Sequence, residues 1–211
     1  MPKKKRIRIQ ALSSFPNVID DPSRFKGVWN ERVFQNDYPI TLEVGCGKGE
    51  YSLALARRFP ERNFIGIDLK GARLFIAAQN AMDFQADNIV FVRLHAERIA
   101  DVFSQNEVEE IWIPFPDPYP KKARKRLTST KYIQLYRQIL KSDAGIHLKT
   151  DDEQLFEFTL KTLRQENCAI QKVIYNLYDQ AQRDELLEIQ TTYEKRYLQD
   201  RRKIKYVRFS V

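Results

Sequence analysis

Apolar positions along this chain switch repeatedly between two spacings. Thr41-Leu42-Glu43-Val44, Asn63 to Asp68, Ile89 to Leu94, Glu110-Ile111-Trp112-Ile113 and Gly145 to Lys149 are short apolar runs of strand length. Between them, Ser52, Leu55, Ala56 and Phe59 fall on one face at helical spacing, as do Leu74, Ala77, Ala78 and Ala81, and Tyr132, Leu135, Tyr136 and Ile139. Asp152 to Glu166 predicts a further helix, and Ala169 to Tyr175 and Lys203 to Val211 predict two more strands. Asp21-Pro22-Ser23 predicts a short helix through Phe34. Leu177 to Arg202 is polar and is the least defined stretch. Strands alternating with helices imply an α/β fold with right-handed crossovers and a mostly parallel sheet of seven strands.

Length fits one such domain, since the chain has 211 residues. Residues 1–20 read as a basic, flexible N-terminal arm, and 21–211 as the domain. No apolar run is long enough to span a bilayer, and Met1 to Arg8 lacks the apolar stretch of a signal peptide. Cys46 and Cys168 show neither pairing nor metal-ligand spacing, so a reduced, cytoplasmic protein without a bound metal is expected. The net charge of +8 favours a polyanionic partner. An ordinary basic surface would give the same total, but here the cations cluster at 3–8, 121–126 and 195–205.

Two segments carry candidate chemistry. Glu43-Val44-Gly45-Cys46-Gly47-Lys48-Gly49-Glu50 joins the first strand to the first helix and holds three of the seven glycines. Its G-x-G-x-G spacing differs from the dinucleotide fingerprint, and it lacks the Lys-Ser/Thr ending of a P-loop. An acid two residues before the first glycine would repel a pyrophosphate and welcome a cation, such as a sulfonium or amino group. Asp68 ends the second strand, where doubly wound folds place an acid on ribose hydroxyls; a helix cap is the plainer reading. The second segment, Pro114-Phe115-Pro116-Asp117-Pro118-Tyr119-Pro120, follows a buried strand and runs into Lys121-Lys122-Ala123-Arg124-Lys125-Arg126. Prolines at every second position predict a stiff, extended loop bearing one carboxylate. The cations behind it would meet phosphates largely without sequence information; a charged helix start is the alternative.

The glycine loop resembles the first motif of class I S-adenosylmethionine-dependent methyltransferases. Together with Pro114-Phe-Pro-Asp-Pro-Tyr, Lys149-Thr-Asp151 and Thr191-Thr-Tyr-Glu194, it resembles the bacterial tRNA (guanine-N7-)-methyltransferase family, in order from about residue 40 to 211. The resemblance implies a single Rossmann-like domain with an antiparallel last strand and helices on both faces. It implies S-adenosylmethionine as cofactor and tRNA as partner, the target being a variable-loop guanine. Glu43, Asp68, Gly45, Gly47 and Gly49 would then hold the cofactor, and Asp117 would lie between cofactor and base as the catalytic group. Lys121, Asp151, Thr191, Thr192, Tyr193 and Glu194 would meet the guanine, and Lys122, Arg124, Lys125 and Arg126 the RNA. Two positions depart from the family pattern. Tyr119 stands where tryptophan is usual, which keeps an aromatic face. His95-Ala96-Glu97 stands where aspartate is frequent; His95 could hydrogen-bond the adenine end or simply cap a strand end.

Guanine N7 carries a free in-plane lone pair and no proton, so in-line transfer needs no general base. Asp117, Asp151 and Glu194 are therefore expected to position and to stabilise charge, not to shuttle protons. Asp151 could equally be the N-cap of the following helix, and Glu194 part of a solvated helix face. Other readings are a methyltransferase of another nucleic-acid base and a non-catalytic RNA-binding module. Asp117-Pro118-Tyr119 is similar to the loop of DNA adenine-N6 methyltransferases, but the second proline of that loop is absent. The glycine spacing argues against a nicotinamide dehydrogenase.

Overall fold

In the computed structural model, which describes residues 3–179 and 184–211, the alternating segments build one eight-stranded sheet. Its strands in chain order are β1 (Val18–Ile19), β2 (Ile40–Val44), β3 (Asn63–Asp68), β4 (Ile89–Arg93), β5 (Val108–Pro114), β6 (Leu140–Thr150), β7 (Ala169–Ile174) and β8 (Lys205–Ser210). Across the sheet they lie in the order β1-β4-β3-β2-β5-β6-β8-β7. All pairs are parallel except those of β8, which runs antiparallel between β6 and β7.

Seven of these strands match the expected ones; the eighth is β1, a two-residue edge strand beside β4. It lies within the expected N-terminal arm, part of which packs against the domain. Lys3–Gln10 forms helix α1, Leu12 and Val18 are buried, and Phe15 meets Phe75 edge-on at 5.1 Å. The basic composition of the first eight residues hides the apolar Leu12, Phe15 and Val18 that follow. Residues 1–2 of that arm, and 180–183 of the polar stretch, lie outside the described residues.

Period-two alternation places the two faces of the sheet in two apolar layers. Leu42, Val44, Ile65, Ile67, Ile111, Ile113, Ile146 and Leu148 point to one, with α4 (Ile99–Val102), α5 (Thr130–Arg137) and α6 (Glu153–Gln165) packed on it. Phe64, Phe91, Trp112 and Tyr206 point to the other, covered by α2 (Glu50–Arg58) and α3 (Gly71–Asp83). The helix expected from Asp21 to Phe34 is instead two short turns, Pro22–Phe25 and Asn30–Phe34. Gly27 separates them with φ of +80°, a backbone no helix can carry. Within the polar stretch, α7 spans Thr192–Gln199. Among the described residues no helix is long and apolar enough to cross a membrane.

Chain direction reverses at β2. From β2 the chain moves outward to β3 and β4, then returns to β5 on the other side and continues to β6. The crevice at the C-terminal ends of β2 and β5 is where a ligand sits in open α/β sheets. The glycine loop leaves β2 there, and the proline loop leaves β5 beside it.

Candidate functional site

Gly45, Gly47 and Gly49 all have positive φ, at +81°, +58° and +70°. Two of them explain the loop. A Cβ on Gly49 would lie 2.9 Å from Ala77 and from the Phe91 ring, so α2 can start only if this residue has no side chain. A Cβ on Gly47 would meet nothing within 4 Å: the loop bends around open space. Asp68 holds this shape, since its Oδ2 accepts from Gly47 N at 2.9 Å and its Oδ1 from Lys70 N at 2.6 Å.

Glu43 lies beneath the loop, buried, accepting from the Ser52 amide at 2.8 Å and from the Ser52 hydroxyl. Burial pushes its carboxyl up to about 8, Ser52 opposing and the nearby Asp68 and Glu50 adding to the rise. Buried and protonated at neutral pH in the ligand-free protein, this carboxyl would ionise only when a cationic group enters the cradle beside it. A folded-state pKa above the unfolded one means the native state holds the proton more tightly. Stability from this group is therefore full below about pH 4.5 and is lost as pH rises to about 8. Glu43→Gln is expected to flatten the fall of melting temperature over that window in the ligand-free protein. Melting curves from pH 4.5 to 8.5 check this, and an unchanged slope would refute it.

Two cavities adjoin at this point. The first, of about 330 Å³, is lined by Glu43, Gly45 to Lys48, Phe115, Asp117, Asp151, Thr191 and Tyr193. The second, of about 180 Å³, is lined by Asp68, Leu69, His95, Leu127, Tyr132, Lys125 and Asp117. Gly45, Arg73, Phe115, Pro116 and Asp117 belong to both.

Asp117 thus stands at the junction, exposed, with Lys70 Nζ at 3.9 Å. The proline run that carries it is not extended throughout. Phe115 and Tyr119, each preceding a proline, turn to φ of +51° and +43°. Such positions cost about 1–3 kcal/mol each and concentrate at functional sites. Phe115 is held by its amide, which donates to Lys149 O at 2.8 Å, and its ring packs on Tyr197 at 5.6 Å.

The residues expected to meet the guanine are distributed unequally. Asp152, not Asp151, caps α6, accepting from Leu155 N at 2.6 Å. That leaves the Asp151 carboxylate on the first cavity, where Arg202 donates to it at 2.8 Å. Thr191 caps α7, accepting from Glu194 N at 3.2 Å, and Tyr193 faces the cavity. Thr192 turns aside to bond Glu50. Glu194 is neither on the cavity nor on a solvated face. Its side chain is 0% exposed and pairs with the equally buried Lys149 at 2.8 Å. Lys149 also donates to Leu187 O and Ile189 O, and Tyr178 donates to Glu194 Oε1 at 3.0 Å. Burial holds the Glu194 carboxyl above the ordinary range, Lys149 opposing.

His95 accepts from Glu97 N at 3.3 Å, so its ring caps the turn Ala96–Arg98 while lining the second cavity. Among the cations, Lys121, Lys122, Arg124 and Lys125 are exposed. Arg126 is not: it is buried, donates to Pro118 O at 2.8 Å and stacks over Phe158 at 4.5 Å, bracing the proline loop from behind. Sequence reasoning missed Lys149, Glu50 and Arg73. A lysine inside the apolar strand Ile146-His147-Leu148-Lys149 was the one visible signal among them.

A family model described as "Putative methyltransferase" matches residues 37–207. The tRNA (guanine-N(7)-)-methyltransferase of Christiangramia forsetii is 44% identical, over 99% of this chain and 98% of that protein. The protein of the same name from Bacteroides thetaiotaomicron is 39% identical, over 99% and 86%. Among solved structures, the 16S rRNA methyltransferase KamB superposes with a TM-score of 0.66 at 16% identity, covering 88% of this chain and 93% of that one, a likeness of fold.

Proposed function

The chain belongs to the tRNA (guanine-N7-)-methyltransferase family, and from that premise we propose how its two cavities divide the work. The second cavity, with Asp68 and His95, takes the adenosine end of S-adenosylmethionine; Glu43 and the glycine loop take its amino-acid end. The rest of the first cavity takes a guanine, the one in the variable loop of tRNA. The observation that carries this reading is Asp117, the single carboxylate common to both cavities among the residues that line them.

The cofactor supplies an electrophilic methyl group on a sulfonium. Everything else falls to the chain. The cradle at Gly47 and the buried Glu43 fit a cationic amino acid, and Asp68 fits ribose hydroxyls. Phe115, Tyr193 and Asp151 offer a base two aromatic surfaces and an acceptor for its N1/N2 edge. Holding N7 in line with the methyl can supply on the order of 7–11 kcal/mol of the barrier. With the cofactor bound, transfer would carry positive charge from its sulfonium to the guanine ring. Asp117, at the junction of the two cavities, would lower the barrier by meeting the charge as it builds on the ring, without taking a proton. The Lys149–Glu194 pair works at one remove, anchoring the carbonyls of Leu187 and Ile189 and so the strap 191–193. The cytoplasm, where tRNA resides, is the expected place of action.

The test is to incubate the protein with an unmodified tRNA transcript and labelled S-adenosylmethionine, then digest the RNA. Recovery of 7-methylguanosine at the variable loop supports the reading; a label on any other base refutes it. Salt dependence separates the cations. Lys122→Ala and Lys125→Ala each remove one cation from the phosphates, which should reduce the slope of log K against log salt by roughly 0.7–0.9. Arg126→Ala should leave that slope unchanged and lower the melting temperature instead. A slope change for Arg126→Ala equal to that of its neighbours would contradict its inward placement.

A further inference from the structure

The glycine loop and the strap Thr191–Tyr193 are remote in the chain but joined by one side chain. Glu50 opens α2 immediately after Gly49. Its Oε1 accepts the Thr192 hydroxyl at 2.8 Å and its Oε2 accepts the Thr192 amide, across 142 residues of chain. Thr192 is the first residue of α7, whose leading amides have no partner within the helix. The Thr191 side chain satisfies one of them, and Glu50 reaches in from another element to satisfy a second. A carboxylate is also favoured by the dipole at that helix end. Arg73 on α3 adds a parallel tie, donating to the Tyr193 hydroxyl at 3.2 Å. The strap is therefore held from the two helices that follow the cofactor-side strands β2 and β3.

We propose that Glu50 is a positioning residue that couples the two halves of the site. The loop conformation that receives the cofactor also sets the strap that receives the guanine. The inference rests on the methyltransferase reading above. Coupling of this kind is reciprocal: cofactor tightens tRNA by the factor with which tRNA tightens cofactor.

The experiment measures affinity for a tRNA transcript with and without saturating S-adenosylhomocysteine. Wild type, Glu50→Ala, Glu50→Gln and Thr192→Val are compared, with melting curves to establish folding. Wild type is expected to bind tRNA at least about fivefold tighter with the cofactor product present. In Glu50→Ala the ratio falls to about one. Glu50→Gln restores most of it, since an amide oxygen still accepts from the Thr192 amide and its NH2 can donate to the hydroxyl. Thr192→Val, which leaves the loop untouched, gives an intermediate ratio. A wild-type ratio of one, a full ratio in Glu50→Ala, or no rescue by glutamine would each overturn the proposal. Failure of the underlying reading looks different: wild type would then form no 7-methylguanosine at all.

Discussion

Asp117→Asn is expected to slow methyl transfer by about 10²–10³-fold, the usual cost of removing one charge-stabilising group from a site that, once tRNA is bound, is closed to water. The substitution keeps the shape of the side chain and removes its charge at the junction of the two cavities. Little stability should be lost. The carboxylate is well exposed, and its partner Lys70 is 3.9 Å away and itself half exposed; ion pairs of this kind contribute little. The loss should therefore appear in kcat under single-turnover conditions, with the melting temperature nearly unchanged. Because the nucleophile carries no proton, the wild-type rate should show no steep limb near neutral pH. A limb that is present in wild type and vanishes in Asp117→Asn would show the residue to be a general base and overturn the electrostatic role.

The largest effect on stability is expected at Lys149. Replacing it with methionine leaves the fully buried Glu194 carboxylate without its cation. Breaking one side of a buried pair costs about 3–5 kcal/mol. In a domain of this size that lowers the melting temperature by roughly 6–20 °C. The sign of the pH dependence follows from burial, which already holds Glu194 above the ordinary carboxyl range. Without Lys149 it rises further, so the native state retains the proton and the variant loses more stability as pH increases. Adding Glu194→Leu removes the orphaned charge and should recover much of the loss. Recovered stability need not bring recovered activity. The Leu187 and Ile189 carbonyls are still without Lys149, so the tRNA KM should stay raised while cofactor affinity returns. Melting curves at pH 5.5 and 8 with matched kinetics check both parts; a pH-independent loss would contradict the assignment.

The part of the site proposed to hold the cofactor was far more legible in the sequence than the part proposed to hold the base, and the reason is chain distance. Gly45, Gly47 and Gly49 need positive φ, and Glu43 and Asp68 end adjacent strands, so local pattern and fold class together locate them. Asp117 was legible through its prolines, although the turns at Phe115 and Tyr119 were not, because residues before proline ordinarily stay extended. On the base side each decisive interaction joins distant segments. Lys149 meets Glu194 across 45 residues, and Glu50 meets Thr192 across 142. Arg126 looks like its neighbours in sequence and is set apart only by Phe158 and the Pro118 carbonyl. Asp151 and Asp152 are chemically equivalent in sequence, and only the geometry of α6 decides which one caps it. In the N-terminal segment, charge masked the apolar Leu12, Phe15 and Val18 that pack against the domain.

The place of β8 bears on how the molecule comes into being. It is the last strand in chain order, yet it lies between β6 and β7 and pairs with both. A nascent chain that has not yet reached Lys205 offers β6 no neighbour on that side and β7 no neighbour at all within the sheet. Local pairing cannot replace it, because this connection is intrinsically non-local and slow to form. Tyr206 lies opposite Lys149 in the finished register, so the wall that carries the strap is assembled only after β8 has been made. Cofactor-side strands β2 to β5 can meet much earlier. A growing chain would thus acquire its capacity to hold a small molecule before its capacity to grip RNA, and an incomplete one would expose two strand edges as a mark for aggregation or proteolysis.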